Sequence, residues 1–207
     1  MAMENPKKQT RTAPSKNPFK PKAAMLAVLL LGSIGGYGGA TYLQTLRATA
    51  DTVSTTIQVR FSPGGQCMQF IAETLTKAQD TILVQAYAFT SSIIANALIA
   101  AYERGVAVQI LVDRSQLTAR SSKVHRVVAK GIPVLIDVVP GIAHNKVMII
   151  DDDHVLTGSF NWTDAAEKRN AENLLLIKDR NISKIYRENW DKRALKAQAL
   201  HLPQRTL

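Results

Sequence analysis

From Thr52 onward, short β-rich apolar runs alternate with segments whose apolar residues recur at helical spacing. Ile57 to Phe61 reads as a strand ended by the turn Ser62-Pro63-Gly64-Gly65. Gln69 to Ala78 reads as a helix with Phe70, Leu75 and Ala78 on its apolar side. Thr81 to Phe89 is apolar enough to be a central strand. Thr90-Ser91-Ser92 offers hydroxyl caps for a helix through Arg104, with Gly105 as its stop. Val106 to Val112 is another strand. A basic helical segment follows, holding Arg114, Arg120, Lys123, Arg126 and Lys130, and Gly131-Ile132-Pro133 closes it before the strand Val134 to Val138. This rhythm predicts βα units and a largely parallel sheet, with the active loops at one strand edge.

The second half departs from that rhythm. Pro140-Gly141 turns the chain toward the buried run Lys146 to Ile150, and Asp151-Asp152-Asp153 makes a tight acidic turn before Val155-Leu156-Thr157. This is a hairpin pattern, so the expected architecture is α/β with a mixed, mostly parallel β-sheet flanked by helices. Leu174 to Ile177 is a neighbouring strand. Asn181-Ile182-Ser183 starts a last helix through about Gln198, with Ile182, Ile185, Tyr186 and Trp190 at core spacing rather than as base-stacking platforms.

Ahead of this domain lie two different segments. Residues 1–22 are polar and broken by four prolines, the composition of a disordered tail; six Lys/Arg against one Glu give it a net charge of +5. Residues 23–43 are 21 positions without a charge, roughly the length of a bilayer-crossing helix, although five glycines dilute the second half. A basic leader, a short apolar core and Ala48-Thr49-Ala50 also describe a cleavable signal. Signal peptide and membrane anchor share one consequence: positive charge stays inside and residues 51–207 are exported. In a bacterium the domain would be periplasmic, or held on the periplasmic face of the inner membrane through residues 23–43.

Charge and cysteine content add little. Half of the formal +10 sits in the tail, and residues 51–207 hold 19 Lys/Arg against 15 Asp/Glu. Such mild basicity is compatible with a polyanionic substrate and equally with an ordinary solvated surface. The single cysteine, Cys67, excludes an intrachain disulfide and lies among Met68, Phe70 and Ile71 as a buried, inert thiol.

The chemistry is concentrated near the Lys146 strand. His144 and Lys146 are two apart, so an extended chain projects them together. An acid/base or nucleophilic imidazole beside a fixed cation suits attack at phosphorus, because the cation offsets charge on the non-bridging oxygens. Asp151 is seven positions from His144 and aims at the opposite face. Glu172, a lone acid just before the Leu174 run, is the better candidate to orient the imidazole and fix its tautomer. The acids at 151 to 153 beside His154 are consecutive turn residues that point apart, so they predict no metal site, and no cofactor is expected.

His144-x-Lys146, four residues, Asp151, six residues, then Gly158-Ser159-x-Asn161 resembles the signature of the phospholipase D superfamily. Trp162-Thr163-x-Ala165-Ala166-Glu167 and Glu172-Asn173 resemble its small, single-motif bacterial endonuclease branch, over roughly residues 55 to 195. The resemblance implies that Ser159 and Asn161 hold the phosphate together with Lys146; Asp151 belongs to the motif, but its aim at the opposite face makes a structural role the expectation.

Only one His-x-Lys occurs. In-line displacement at phosphorus needs an attacking group on one side and a proton donor on the other, and one imidazole cannot occupy both places. A two-fold dimer would supply a second His144, and the resemblance implies the same shared site. The reading is an exported, metal-independent endonuclease that cleaves nucleic acid through a phosphohistidine. The alternative is a membrane-associated phospholipase D acting on phospholipid headgroups.

Overall fold

In the computed structural model the described residues are 54–200. The basic tail, the apolar segment 23–43, the boundary after Ala50 and residues 201–207 lie outside them. Among the described residues, no helix is long and apolar enough to cross a membrane.

The elements in chain order are β1 (Thr56–Ser62), α1 (Cys67–Thr76), β2 (Thr81–Ala86), α2 (Ser92–Glu103), β3 (Ala107–Asp113), a 3-10 turn (Arg114–Leu117), α3 (Val124–Ala129) and β4 (Val134–Asp137). They continue with β5 (Lys146–Ile150), β6 (His154–Gly158), α4 (Asp164–Lys168), β7 (Glu172–Lys178), α5 (Arg180–Ala194) and β8 (Gln198–Ala199). The eight strands form one sheet in the order β1-β7-β6-β5-β2-β3-β4-β8.

The sheet is mixed, but less parallel than the sequence rhythm predicts. Of the seven ladders, only β2 with β3 and β3 with β4 are parallel. The link from Asp137 to Lys146 contains no helix, and a parallel return needs a crossover of a dozen or more residues. β5 therefore starts at the sheet end where β4 stops and runs antiparallel to β2. That short return puts residues 141–145 beside the C-terminal ends of β2 and β3, where α/β sheets carry their sites.

Both faces of the central strands are covered. Ile82, Val84, Ile110, Met148 and Leu156 pack beneath Ile71 and Leu75 of α1 and Ile94 and Leu98 of α2. Leu83, Leu111, Ile149 and Val155 pack on the other face beneath Trp190 of α5, whose Nε1 donates to the Val84 carbonyl at 3.2 Å. Each fully buried aliphatic side chain contributes about 1.5–3 kcal/mol. Cys67 is fully buried, and burial pushes its thiol up, with Glu167 adding to the effect.

Helix α2 starts as its caps predict, the Ser91 hydroxyl accepting from the Ile94 N–H, and Gly105 follows it at φ +95°. Three expectations change. β2 ends at Ala86 rather than Phe89, because the Phe89 N–H leaves the ladder for the buried Gln116 Oε1 at 3.0 Å. The basic segment is a 3-10 turn and a short helix instead of one helix. Here the Asp113 carboxylate caps the turn and the Lys123 N–H bonds the Phe89 carbonyl. The last helix stops at Ala194, Gln198 and Ala199 pair with β4 instead, and Ile185 is exposed rather than in the core.

Candidate active site

Lys146 opens β5 and His144 lies two residues before it. Hydrogen bonds fix the chain on either side of the histidine: the Ala143 N–H donates to Asp113 Oδ2 at 2.8 Å, and the Tyr87 N–H donates to the Asn145 carbonyl at 3.0 Å. The His144 side chain remains exposed. Its ring packs on Tyr87 at 4.4 Å between centroids with a 59° tilt.

Lys146 is only 6% exposed. Its Nζ donates to the His144 carbonyl at 2.8 Å and lies 3.0 Å from His144 Nδ1, with the Tyr87 ring centroid 5.1 Å away. Burial pushes the amine below the ordinary lysine value, and the Glu172 carboxylate opposes that shift. When the ammonium donates to Nδ1, the neutral imidazole carries its proton on Nε2, the form that gives up a proton.

The other wall comes from β6 and β7. Glu172 opens β7; its Oε2 accepts from Ser159 Oγ at 2.5 Å and its Oε1 from Asn170 Nδ2 at 3.0 Å. Ser159 Oγ in turn accepts from the Asn173 N–H at 3.1 Å, and the Ser159 N–H donates to the Asn173 carbonyl at 3.1 Å. Gly158 makes this close approach possible. It sits at φ +150°, and a Cβ there would lie 2.3 Å from the Asn173 carbonyl oxygen. Asn161 Oδ1 is buried without a partner among the described residues, a group left for a ligand or water to satisfy. His144, Lys146, Gly158, Ser159, Asn161 and Glu172 together line one shallow depression of about 380 Å³.

Residues 71–194 match the family described as cardiolipin synthase, PLD-like domain. The chain belongs to the phospholipase D superfamily. It is similar to a phospholipase D of Rickettsia prowazekii (strain Madrid E), 49% identical over 141 residues that cover 68% of this chain and 69% of the relative. A mitochondrial cardiolipin hydrolase of Xenopus tropicalis is 32% identical over 57% of this chain and 56% of its own. Among solved structures, Nuc from Salmonella typhimurium, a phospholipase D family member, aligns with TM-score 0.68 and 34% identity, covering 72% of this chain and 100% of that one. The chain is thus a phosphodiester hydrolase of the phospholipase D superfamily.

One site expectation changes within that frame, that of Glu172, while Asp151 takes the structural place expected of it. Glu172 lies on the site rim but makes no hydrogen bond to His144: the imidazole Nδ1 faces the buried Lys146 amine, which has few other acceptors, while Ser159 and Asn170 engage the carboxylate. Asp151 stands at the far end of β5 from Lys146 and is not part of the depression. Its carboxylate accepts from the N–H groups of Gln79, Asp80 and Thr81 at 2.8–3.0 Å. Burial alone would raise its pKa, but these backbone bonds outweigh it and hold the carboxyl below its usual range. The neighbouring acids diverge: Asp152 pairs with Arg187, and Asp153 faces His154, Lys178 and Arg180. Among the described residues, no group of three or more His, Cys, Asp or Glu side chains converges to hold a metal ion.

Tyr87 and Asn170 touch the site and carry no sequence signal as site residues. Tyr87 reads as one more residue of an apolar strand. Asn170 reads as part of a polar loop.

Proposed function

We propose that this phosphodiesterase is an exported, metal-independent endonuclease that acts through a phosphohistidine at His144 in a two-fold dimer. The observation that carries the substrate class is the openness of the site. His144 is exposed on a shallow depression, with exposed Arg114 on one side, its Nη2 bonded to the Gly141 carbonyl, and exposed Lys168 and Arg169 just before Asn170 on the other. A long polyanion can lie across such a surface without threading a closed pocket.

In this reading the His144 of one protomer attacks phosphorus through Nε2 and breaks the bond to the leaving sugar oxygen, which takes the Nε2 proton of the second His144. Water then cleaves the phosphohistidine, with that second imidazole as base. Lys146, Ser159 and Asn161 hold the non-bridging oxygens. The attacking ring carries its proton on Nδ1, which leaves the Nε2 electron pair for phosphorus; Glu172, held by Ser159 and Asn170, contributes its charge to the rim.

Two features favour the dimer. Among the described residues, no other histidine lines the depression. On the sheet face that also carries α5, Ile57, Val59 and Phe61 of edge strand β1 are 52%, 49% and 65% exposed, an apolar stripe that a second copy would cover. The export assignment rests on the residue pattern of the first 50 positions.

A second reading, phospholipid hydrolysis, is favoured by the names of the Rickettsia and Xenopus relatives and by exposed Ile142, two residues from His144. One preparation assayed against plasmid DNA, RNA and phospholipid vesicles separates them. Cleaved nucleic acid with intact vesicles is the expected result; hydrolysed vesicles with intact nucleic acid would replace the proposal by the second reading.

A further inference from the structure

We propose that Asp113 is a positioning residue for His144, acting through the backbone of Ala143. The inference rests on the reading of His144 as the reacting imidazole. Asp113 is the last residue of β3 and is 2% exposed. Its two oxygens have separate tasks: Oδ1 accepts from the Ser115 N–H at 2.9 Å and caps the 3-10 turn, while Oδ2 accepts from the Ala143 N–H at 2.8 Å.

This second bond is the anchor of an otherwise irregular stretch. Residues 138–145 form no strand or helix; besides the Lys146 amine, which donates to the His144 carbonyl at 2.8 Å, the stretch has a side-chain tie from Arg114 Nη2 to the Gly141 carbonyl that is exposed and 3.3 Å long. Tyr87, just past β2, holds the Asn145 carbonyl, so the chain is fixed one residue before and one residue after His144, by β3 and by the end of β2. A buried carboxylate accepting from an amide is a stronger tie than a neutral acceptor would be. A histidine on an exposed loop would otherwise sample many positions relative to Lys146, and a misplacement of about 1 Å can cost on the order of 10²-fold in rate.

An amide at position 113 keeps one acceptor oxygen and turns an NH₂ toward the other backbone donor, leaving one N–H unpaired. An alanine leaves both unpaired. Neither change touches the phosphate-binding groups, so the loss belongs in kcat.

The test compares Asp113→Asn, Asp113→Ala and His144→Ala on bis(4-nitrophenyl) phosphate, with rates expressed per folded molecule from circular dichroism and thermal melts. The expected result is a kcat loss of about 10-fold or more for Asp113→Ala, a smaller loss for Asp113→Asn, and KM within about twofold of the parent for both. If Asp113→Ala does not fold, Asp113→Asn decides. Parental kcat in Asp113→Asn, or a loss expressed only in KM, overturns the proposal provided His144→Ala is inactive. Full activity in His144→Ala would instead remove the reading on which it rests.

Discussion

The Lys146 amine lies 3.0 Å from Nδ1 of His144 and 2.8 Å from the carbonyl oxygen of the same residue. A cation is thereby held by the residue whose reaction it assists. Its burial makes the contact strong and its charge expensive to maintain.

Replacing Lys146 by Ala should lower kcat by about 10²-fold, as for the loss of one transition-state electrostatic contact. Cys67→Ser lies away from the depression and should leave turnover nearly intact. Comparable losses in the two variants would put the chemistry elsewhere.

The pH profile carries a signed test of the same pair. Burial lowers the Lys146 pKa and Glu172 partly restores it, so activity that needs the ammonium falls on the alkaline side before an ordinary lysine would titrate. Removing the carboxylate charge in Glu172→Gln lowers that pKa further, and the alkaline limb of kcat/KM should move to lower pH. For stability the sign is opposite. Between the lowered folded value and the unfolded one, the unfolded chain binds more protons, so Lys146 weakens the fold at lower pH and this cost is relieved as pH rises through that window. A limb that moves up in Glu172→Gln would contradict the electrostatic coupling.

Asp151 should separate stability from catalysis. Its carboxylate satisfies three backbone N–H groups, and Asp151→Ala should cost about 1–3 kcal/mol of stability while kcat per folded molecule stays near the parent value. Because its folded pKa is lowered, the stability it supplies is present above the unfolded carboxyl pKa and is lost as pH falls through the folded one. Chemical denaturation from neutral to acid pH measures this. A folded but inactive Asp151→Ala would restore the residue to the chemistry.

Much of this could be read along the chain, for local reasons. The bounds of β5 follow from a run of apolar residues that starts after Lys146 and stops at an acid. The acidic turn is legible because Asp151 and Asp152 adopt positive φ, 53° and 48°, which short polar side chains tolerate. What stayed hidden depends on strands far apart in sequence. That β5 would pair with β2 rather than extend a parallel array follows from the short link after β4. The tie from Asp113 to Ala143 spans 30 residues. The partner of Glu172 was set by competition: Ser159 and Asn170 reach its carboxylate, and Lys146 reaches the imidazole.

Excess chelator is the next test. Lys146 supplies the positive charge that a divalent ion would otherwise bring to the phosphoryl oxygens, so hydrolysis should continue in EDTA at an undiminished rate. Loss of hydrolysis in EDTA that a single divalent ion restores would remove the metal-independent part of the proposal.

A mixed dimer tests the shared site directly. With two copies of His144→Ala, neither nucleophile nor acid remains. With one parental and one His144→Ala chain, a single imidazole is left, and it can form the phosphohistidine only when the leaving group departs without a proton. Native DNA, whose sugar alkoxide is a poor leaving group, should then be cut very slowly, whereas an aryl phosphodiester with an acidic leaving phenol should still react. Co-expression of the two chains with different tags and two-step purification isolates the mixed species. If that species cut DNA at half the parental rate, each chain would hold a complete site, and a second acid would have to be sought within the protomer. Among the described residues the candidates are then His125 on α3, or His154, which begins β6 and lies 3.5 Å from Asp153, at the opposite end of that strand from Gly158 and the depression.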